Sequence, residues 1–542
     1  MKRRELIKLA GLAPFSLAPT PEIPGYGNRQ MPFRHGVASG DPLADRVILW
    51  TRVDLAGTEE AGVTWEIADT PAFSRPWQRG ETVAEARRDG CVKVDVSGLA
   101  PGRRYYYRFR VGDRYSPVGR TRTLPIGSVE RLAMAVVSCS NYPAGFFNAY
   151  RDIARQEHID VVVHLGDYLY EYAADGYASQ SAEALGRVSM PTHELLSLAD
   201  YRQRHAQYKS DPDLQSVHAA HSMIAIWDDH EVANDAWMNG AENHQPNEGE
   251  WIRRKLAAFQ AYEEWMPIRP SGLIDGTPLY RDFQFGELAS LTMLDTRFAG
   301  RERQIDPRPL LEQPEELKSQ WAAPNRQLLG LQQEAWLAER LAANADARWQ
   351  LLGQQVLVSP LLVPALSDVL DADLARQRIG TELVDALLEV GGRKLPLLWD
   401  TWDGYPAARA RLMGLLDRHA SSPVILSGDL HTAMAGNLRT GEGARISAIE
   451  LVTTSVSSPG FETYLPTRSP GQLEAAFLDE NPNLVHMETR YRGWLEVELD
   501  HRRCRATWHE VDRIDRPDGV VTKGHRMDCL HRDQGDFGLA MR

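Results

Sequence analysis

The sequence predicts an α/β protein whose helices cover a buried sheet, preceded by a small β-sandwich. Three observations carry this expectation. Residues 31–125 form short alternating runs between Gly- and Pro-containing turns. Beyond residue 132, apolar runs the length of buried strands alternate with segments of helical spacing. Several of those apolar runs stop abruptly at residue types that bind metals. With 542 residues the chain is too long for a single core.

The N-terminus reads Met1-Lys2-Arg3-Arg4-Glu5-Leu6-Ile7-Lys8, followed by a mostly apolar run at residues 9–17. Ser16-Leu17-Ala18 then offers the small residues of a cleavage site. This is the three-part layout of an export signal, expected over residues 1–18. The Arg3-Arg4 pair resembles a twin-arginine signal, which implies the twin-arginine export machinery and a periplasmic or extracellular destination. The alternative is an amphipathic helix that stays attached. No apolar run reaches the ~18 residues of a membrane span. The net charge of −13, with no long Lys/Arg run, gives no nucleic-acid-binding patch.

In the front domain, residues 31–125, the runs at 46–53, 63–67, 91–96 and 104–111 read as strands. Leu99-Ala100-Pro101-Gly102-Arg103-Arg104-Tyr105 resembles the corner segment of fibronectin type III modules. Residues 121–131 read as a linker. The catalytic unit is expected at 130–512, with strands at 132–137, 159–163, 223–226, 288–294, 349–352, 424–426, 449–452 and 494–499. Residues 146–156 and 250–265 have helical spacing. Residues 360–400 and 460–490 look irregular, and 513–542 read as a C-terminal extension. Of the four cysteines, Cys504 and Cys529 could pair or remain buried thiols.

The strand ends hold the chemistry. The first reads Ser138-Cys139-Ser140-Asn141, and the second His164-Leu165-Gly166-Asp167-Tyr168-Leu169-Tyr170-Glu171. The third reads Trp227-Asp228-Asp229-His230-Glu231-Val232-Ala233-Asn234-Asp235, and Gln354-Gln355 is a fourth candidate. The last reads Ser427-Gly428-Asp429-Leu430-His431. In extended backbone Asp429 and His431 would point to one side. If a helical turn followed Asp167, Tyr170 would share its face. Singly, each has an ordinary reading: a core Cys, a turn Asp, a packed Tyr, a core His164. Together they place several acids at one edge, where a cation is needed to neutralise their repulsion.

The ordered strings Gly-Asp-x-x-Tyr, Asp-His-Glu and Gly-Asp-x-His resemble the calcineurin-like metallophosphoesterases. The variants Ser-Cys-Ser-Asn, Gly-Asp-Tyr-x-Tyr-Glu, Trp-Asp-Asp-His-Glu and Trp402-Asp403-Gly404-Tyr405 are similar to PhoD-type alkaline phosphatases and their phospholipase D relatives. The resemblance covers about residues 33–510. It implies a metallophosphoesterase-type αββα sandwich behind a fibronectin-like domain. It implies metal ligation by Cys139, Asp167, Tyr170, Asp229, Asp429 and His431, with ferric iron and calcium as the metals. A thiolate suits a transition metal and carboxylates suit calcium. His230 matches the position of a phosphate-contacting residue or general acid. Arg297 holds substrate phosphate or forms a buried Arg–Asp pair, and Trp402, Asp403 and Tyr405 form a rim or simply pack.

The expected activity is therefore metal-assisted hydrolysis of a phosphate monoester or diester by hydroxide attack. The rivals are a phospholipase D-like diesterase on the same site and a non-catalytic metal- or phosphate-binding protein.

Overall fold

The structure is a computed structural model describing residues 32–269, 272–306, 314–440 and 445–541. The expected export signal lies outside the described residues. From residue 131 the chain builds two sheets. In the first, Arg131–Val137, Val161–His164 and Ser222–Ala225 run parallel side by side. Arg492–Asp500, Arg503–Val511, Val521–Leu530 and Leu539–Met541 extend it in antiparallel order from Arg131–Val137. The second sheet runs Arg281–Phe285, Ala289–Met293, Trp349–Gly353, Pro423–Ser427, Ile446–Val452, Ala433–Arg439, Leu484–Glu488.

The apolar runs divide between two cores. Val424 and Leu426 belong to the main core, with Met134, Val136, Leu291 and Leu451. Ile425, one residue out of phase, faces the other way onto Leu337, Leu341, Leu412 and Leu416 of the helices Leu331–Ala343 and Pro406–His419. Burial on both faces is why these parallel strands read as unbroken apolar runs. Helices Asn148–Arg155 and Pro212–Ala220 pack on the first sheet. The layers are helix, sheet, sheet, helix, as the resemblance implies.

The front domain is a sandwich. Val37–Gly40, Arg46–Arg52 and Cys91–Ser97 face a sheet of Gln78–Glu85, Glu60–Ala68, Arg104–Val111, Arg114–Tyr115 and Gly119–Arg122. Val47, Leu49, Val63, Ile67, Tyr105, Tyr107 and Phe109 fill it. The corner at 99–105 is closed by Ala100 N donating to Tyr105 Oη, 2.9 Å. The sandwich is not a separate bead. Val37–Gly40 pairs in parallel with Ser222–Ala225, Ser39 opposite Ser222, so the first catalytic sheet runs on into it and totals ten strands. At the seam, Trp50 Nε1 donates to Glu264 O at 2.9 Å, and the buried Lys209 Nζ lies 4.4 Å from the Trp50 ring centre.

Two expectations are corrected. The stretch 513–542 is not an appendage, because Val521–Leu530 and Leu539–Met541 close the edge of the first sheet. The stretches 360–400 and 460–490 are not irregular. They contain helices Ala372–Ile379, Thr381–Val390 and Gln472–Glu480 and the strand Leu484–Glu488, which share a third core around Leu370, Val384, Phe477 and Met487. Each helix is too short to display several turns of periodicity, and Gly380, at φ +90°, separates the first two.

Candidate metal centre

The predicted strand ends converge on one edge between the two sheets. Ser138 bridges to Ser455, Cys139 N donates to Gly166 O at 3.1 Å, and Ser140 N to Asp167 O at 2.8 Å. Gly428 N donates to Gln355 O at 2.7 Å. The Cys139 thiol, an Asp167 carboxylate oxygen and a His431 ring nitrogen lie within 4.8 Å of one another. So do oxygens of Asp167, Asp228, Asp229 and Asp429, and those of Asp229, Asp235 and Asp400.

The backbone that presents them is not extended. Cys139, Asp167, Asp429 and His431 have φ of +63°, +55°, +63° and +56°. This corrects the extended-strand geometry expected for Asp429 and His431: the strand stops at Ser427, and left-handed turns send the two side chains to the two neighbouring groups that share Asp167. Such conformations cost ~1–3 kcal/mol each in ordinary residues and gather at functional sites. No helical turn follows Asp167 either. Tyr170 still reaches it, donating from Oη to Asp167 Oδ2 at 3.0 Å. Gly166, at φ +107°, is required by space: a Cβ there would meet Asp228 Cβ at 2.4 Å and Asp228 N at 2.6 Å.

The groups are poised for cations. Burial, then the Asp167 charge, lifts the Cys139 thiol well above its usual range. Burial lifts the Asp167 and Asp429 carboxyls likewise, with neighbouring carboxylates adding to it. Asp229 is different. Burial would raise it, but Arg297 and His230 hold it below the ordinary value. Asp167 Oδ1 is buried with no hydrogen-bond partner. His431 Nδ1 is 3.0 Å from Pro459 O, which turns Nε2 inward toward Tyr170 Oη at 3.2 Å. An orphaned carboxylate oxygen, a thiol, a phenol and an inward imidazole nitrogen fit a metal centre.

His230 belongs to this cluster as well: one ring nitrogen lies within 4.8 Å of oxygens of Asp167 and Asp229. Its Nδ1 donates to Glu171 Oε2 at 2.7 Å, and the Tyr170 ring is 4.2 Å away, centre to centre. Glu171 is itself fixed by Asn234 N at 2.8 Å and Asn243 Nδ2 at 2.7 Å. Among the described residues, His230 Nε2 has no hydrogen-bond partner.

Residues 134–508 match the PhoD-like phosphatase family, and residues 19–125 match the N-terminal domain of PhoD-like phosphatases. The chain belongs to this family. It is 34% identical over 506 residues to alkaline phosphatase D of Bacillus subtilis (strain 168), covering 91% of this chain and 79% of that protein. A solved structure described as PhoD superposes with a TM-score of 0.79 at 30% identity, covering 95% of this chain and 93% of that one. The protein is a phosphoric ester hydrolase.

The remaining expected site residues of this PhoD-like phosphatase are Arg297, which borders the acid cluster, and Trp402, Asp403 and Tyr405. Arg297 is fully buried. Its guanidinium binds Asp228 Oδ1 through Nε and Asp400 Oδ2 through Nη1 at 2.7 Å, and its Nη2 is 3.6 Å from Asp229 Oδ1. Nε and Nη1 are committed to carboxylates inside a fully buried site while Nη2 has no hydrogen-bond partner, so the geometry favours the buried-pair reading and leaves Nη2 unengaged. Trp402, Asp403 and Tyr405 are buried and committed, not a rim. Trp402 Nε1 donates to Gln354 Oε1 at 3.1 Å, Asp403 Oδ2 accepts Leu361 N at 2.8 Å, and Tyr405 Oη donates to Glu302 O at 2.7 Å. Gln354 braces Ser427 Oγ at 2.6 Å, and Gln355 holds Thr296 N at 3.0 Å. His164 is the core histidine its apolar run suggested, with Nε2 2.9 Å from Tyr150 Oη.

Sequence reasoning missed five acids. Glu231 accepts Asp167 N, Tyr168 N and Asp228 N at 3.1, 2.6 and 2.8 Å, tying two strand ends together. Asp228, Glu231 and Glu171 stand inside the motif strings, where position in the string marks them. Asp235 closes the third string, and Asp400 lies in a stretch with no local signal.

Proposed function

We propose that this protein is an exported enzyme of the alkaline phosphatase D type, hydrolysing phosphate monoesters and diesters with ferric iron and calcium. Cys139, Asp167, Tyr170 and His431 offer the mixed sulfur, oxygen and nitrogen set that iron takes. Asp167, Asp229 and Asp429, with Asp228 alongside, offer the oxygen set that calcium takes. Bound there, the cations supply charge neutralisation on the phosphoryl oxygens and a water of lowered pKa.

The observation that carries the reading is the His230–Glu171 pair at the margin of the acid cluster. Glu171 occupies Nδ1 and sets the ring, so Nε2 is left to hand a proton to the departing alkoxide. Tyr170 and Tyr172, at 4.2 and 5.3 Å, flank the imidazole and limit water access. Export is supported by the layout of residues 1–18, and cytoplasmic retention of an Arg3→Lys/Arg4→Lys variant tests it.

The decisive experiment loads the chelator-treated protein with ferric iron and calcium. It then assays p-nitrophenyl phosphate, its bis-ester and phosphatidylcholine side by side. Activity restored only by both ions, with visible thiolate- and phenolate-to-iron absorption that Cys139→Ser shifts or bleaches, supports the assignment. A colourless, iron-free, fully active enzyme overturns it. Activity on phosphatidylcholine alone moves the reading to a phospholipase D-like diesterase.

A further inference from the structure

Cys504 and Cys529 lie directly opposite each other on the antiparallel strands Arg503–Val511 and Val521–Leu530. Opposed residues share one face of a sheet with Cα atoms ~4.5–5.5 Å apart. A disulfide accepts ~4.4–6.8 Å. Both side chains belong to the main core, both are buried, and both are free thiols. The register is pinned beside them, because Arg505 and Asp528, the next opposed pair, are joined by a 2.9 Å ionic hydrogen bond. The remaining cysteines offer no rival partner. Cys91 begins a strand of the front sandwich and Cys139 lies in the metal centre.

We propose that Cys504 and Cys529 are a modification site: they become a cross-strand disulfide by exchange with a low-molecular-weight or protein disulfide. The thiolate of one cysteine attacks the incoming disulfide and expels one thiolate. The second cysteine then attacks the mixed disulfide and expels the other. Two thiol protons and two electrons leave the protein and appear in two released thiols, so the step balances.

The entry point is Cys529. On its other side it pairs with Leu539 of Leu539–Met541, the three-residue strand at the sheet edge. Opening of so short an edge strand uncovers the sulfur without unfolding the sheet. Burial raises both thiols, Cys529 to about 12, so exchange in the closed sheet is slow and opening controls its rate. Once formed, the bond ties Val521–Leu530 to Arg503–Val511, one strand in from the edge, and limits unfolding from the C-terminal side of the sheet.

The test treats the full-length protein with oxidised glutathione at mildly alkaline pH, with reduced glutathione as control. It reads non-reducing peptide maps and thiol titration in denaturant. The expected result is a linked Cys504–Cys529 peptide pair lighter by two hydrogens, a fall in titratable thiols from the four of the sequence to two, and a higher apparent Tm. Cys504→Ala and Cys529→Ala should each lose both the linked pair and the Tm gain. Four persistent thiols after the opened edge has been sampled at raised temperature would overturn the proposal. Glutathione carried separately on each cysteine with no linkage would also overturn it.

Discussion

His230 commits one ring nitrogen to Glu171 and leaves the other uncommitted, and this division of labour makes it testable as a proton donor. His230→Ala should lower turnover of an alkyl phosphate by about 100-fold or more while metal content is retained. The loss should shrink for p-nitrophenyl phosphate, whose leaving group needs no proton. An equal loss on both substrates would assign His230 to phosphate binding, and empty metal sites would make it a ligand. Glu171 acts through the ring it holds. Glu171→Gln should cost about 10-fold and alter the pH–rate profile, because the hydrogen bond survives but its charge does not. The left-handed backbone at Cys139, Asp167, Asp429 and His431 belongs to the same scale. It turns Cys139 and His431 into one ligand group and Asp429 into the neighbouring one, with Asp167 common to both.

Among the elements, the turn after Val161–His164 is tightly constrained. Gly166 combines φ +107° with contact against Asp228, whereas Gly57 has a comparable φ of +87° and no atom within 4 Å. Gly57→Ala should cost only ~1 kcal/mol, the backbone share. Gly166→Ala should cost ~3 kcal/mol or more, because strain and clash add. Chemical denaturation of the two variants separates these contributions, and equal losses would show that the Asp228 contact is soft. The strand Arg492–Asp500 carries a pH-dependent element. Its buried Glu496 accepts from His158 Nε2 at 2.5 Å and His509 Nε2 at 2.9 Å. Burial opposes ionisation, yet these hydrogen bonds hold the carboxyl at about 2. A carboxyl lowered on folding contributes stability above its ordinary value near 4.5 and loses it as pH falls toward 2. Glu496→Gln should therefore be less stable by ~1–3 kcal/mol at pH 7, and the gap should close between pH 4.5 and 2. A gap that stays constant across that window would exclude the carboxylate as its source.

At the scale of the whole molecule, the sandwich and the catalytic unit share one ten-stranded sheet. Removing residues 1–125 would strip Val37–Gly40 from Ser222–Ala225, exposing a strand edge and the apolar seam around Trp265. That truncated chain should aggregate or recover little soluble material, even though every candidate metal ligand remains. A soluble, monodisperse, active catalytic fragment would show that the shared sheet is dispensable. The closing strands Val521–Leu530 and Leu539–Met541 make the same point at the other end of the chain.

The sequence by itself determined the two-part architecture, the buried strands and the identity of the strand-end residues that gather. Each of these depends on local pattern: alternation, apolar run length, and a short string at the end of a run. Fold type was legible for that reason, whereas the roles of Cys139, Asp167, Tyr170, Asp229, His230, Asp429 and His431 rest on the resemblance of those strings to a family. Tertiary structure alone decided that Arg297 is locked between carboxylates and that Asp400, from a stretch without pattern, joins Asp229 and Asp235. It also decided that Cys504 faces Cys529 and that the sandwich continues the catalytic sheet. These are contacts between residues distant in sequence, or registers between strands. Their energies depend on what the rest of the chain brings alongside, and no local run of residues encodes that partner.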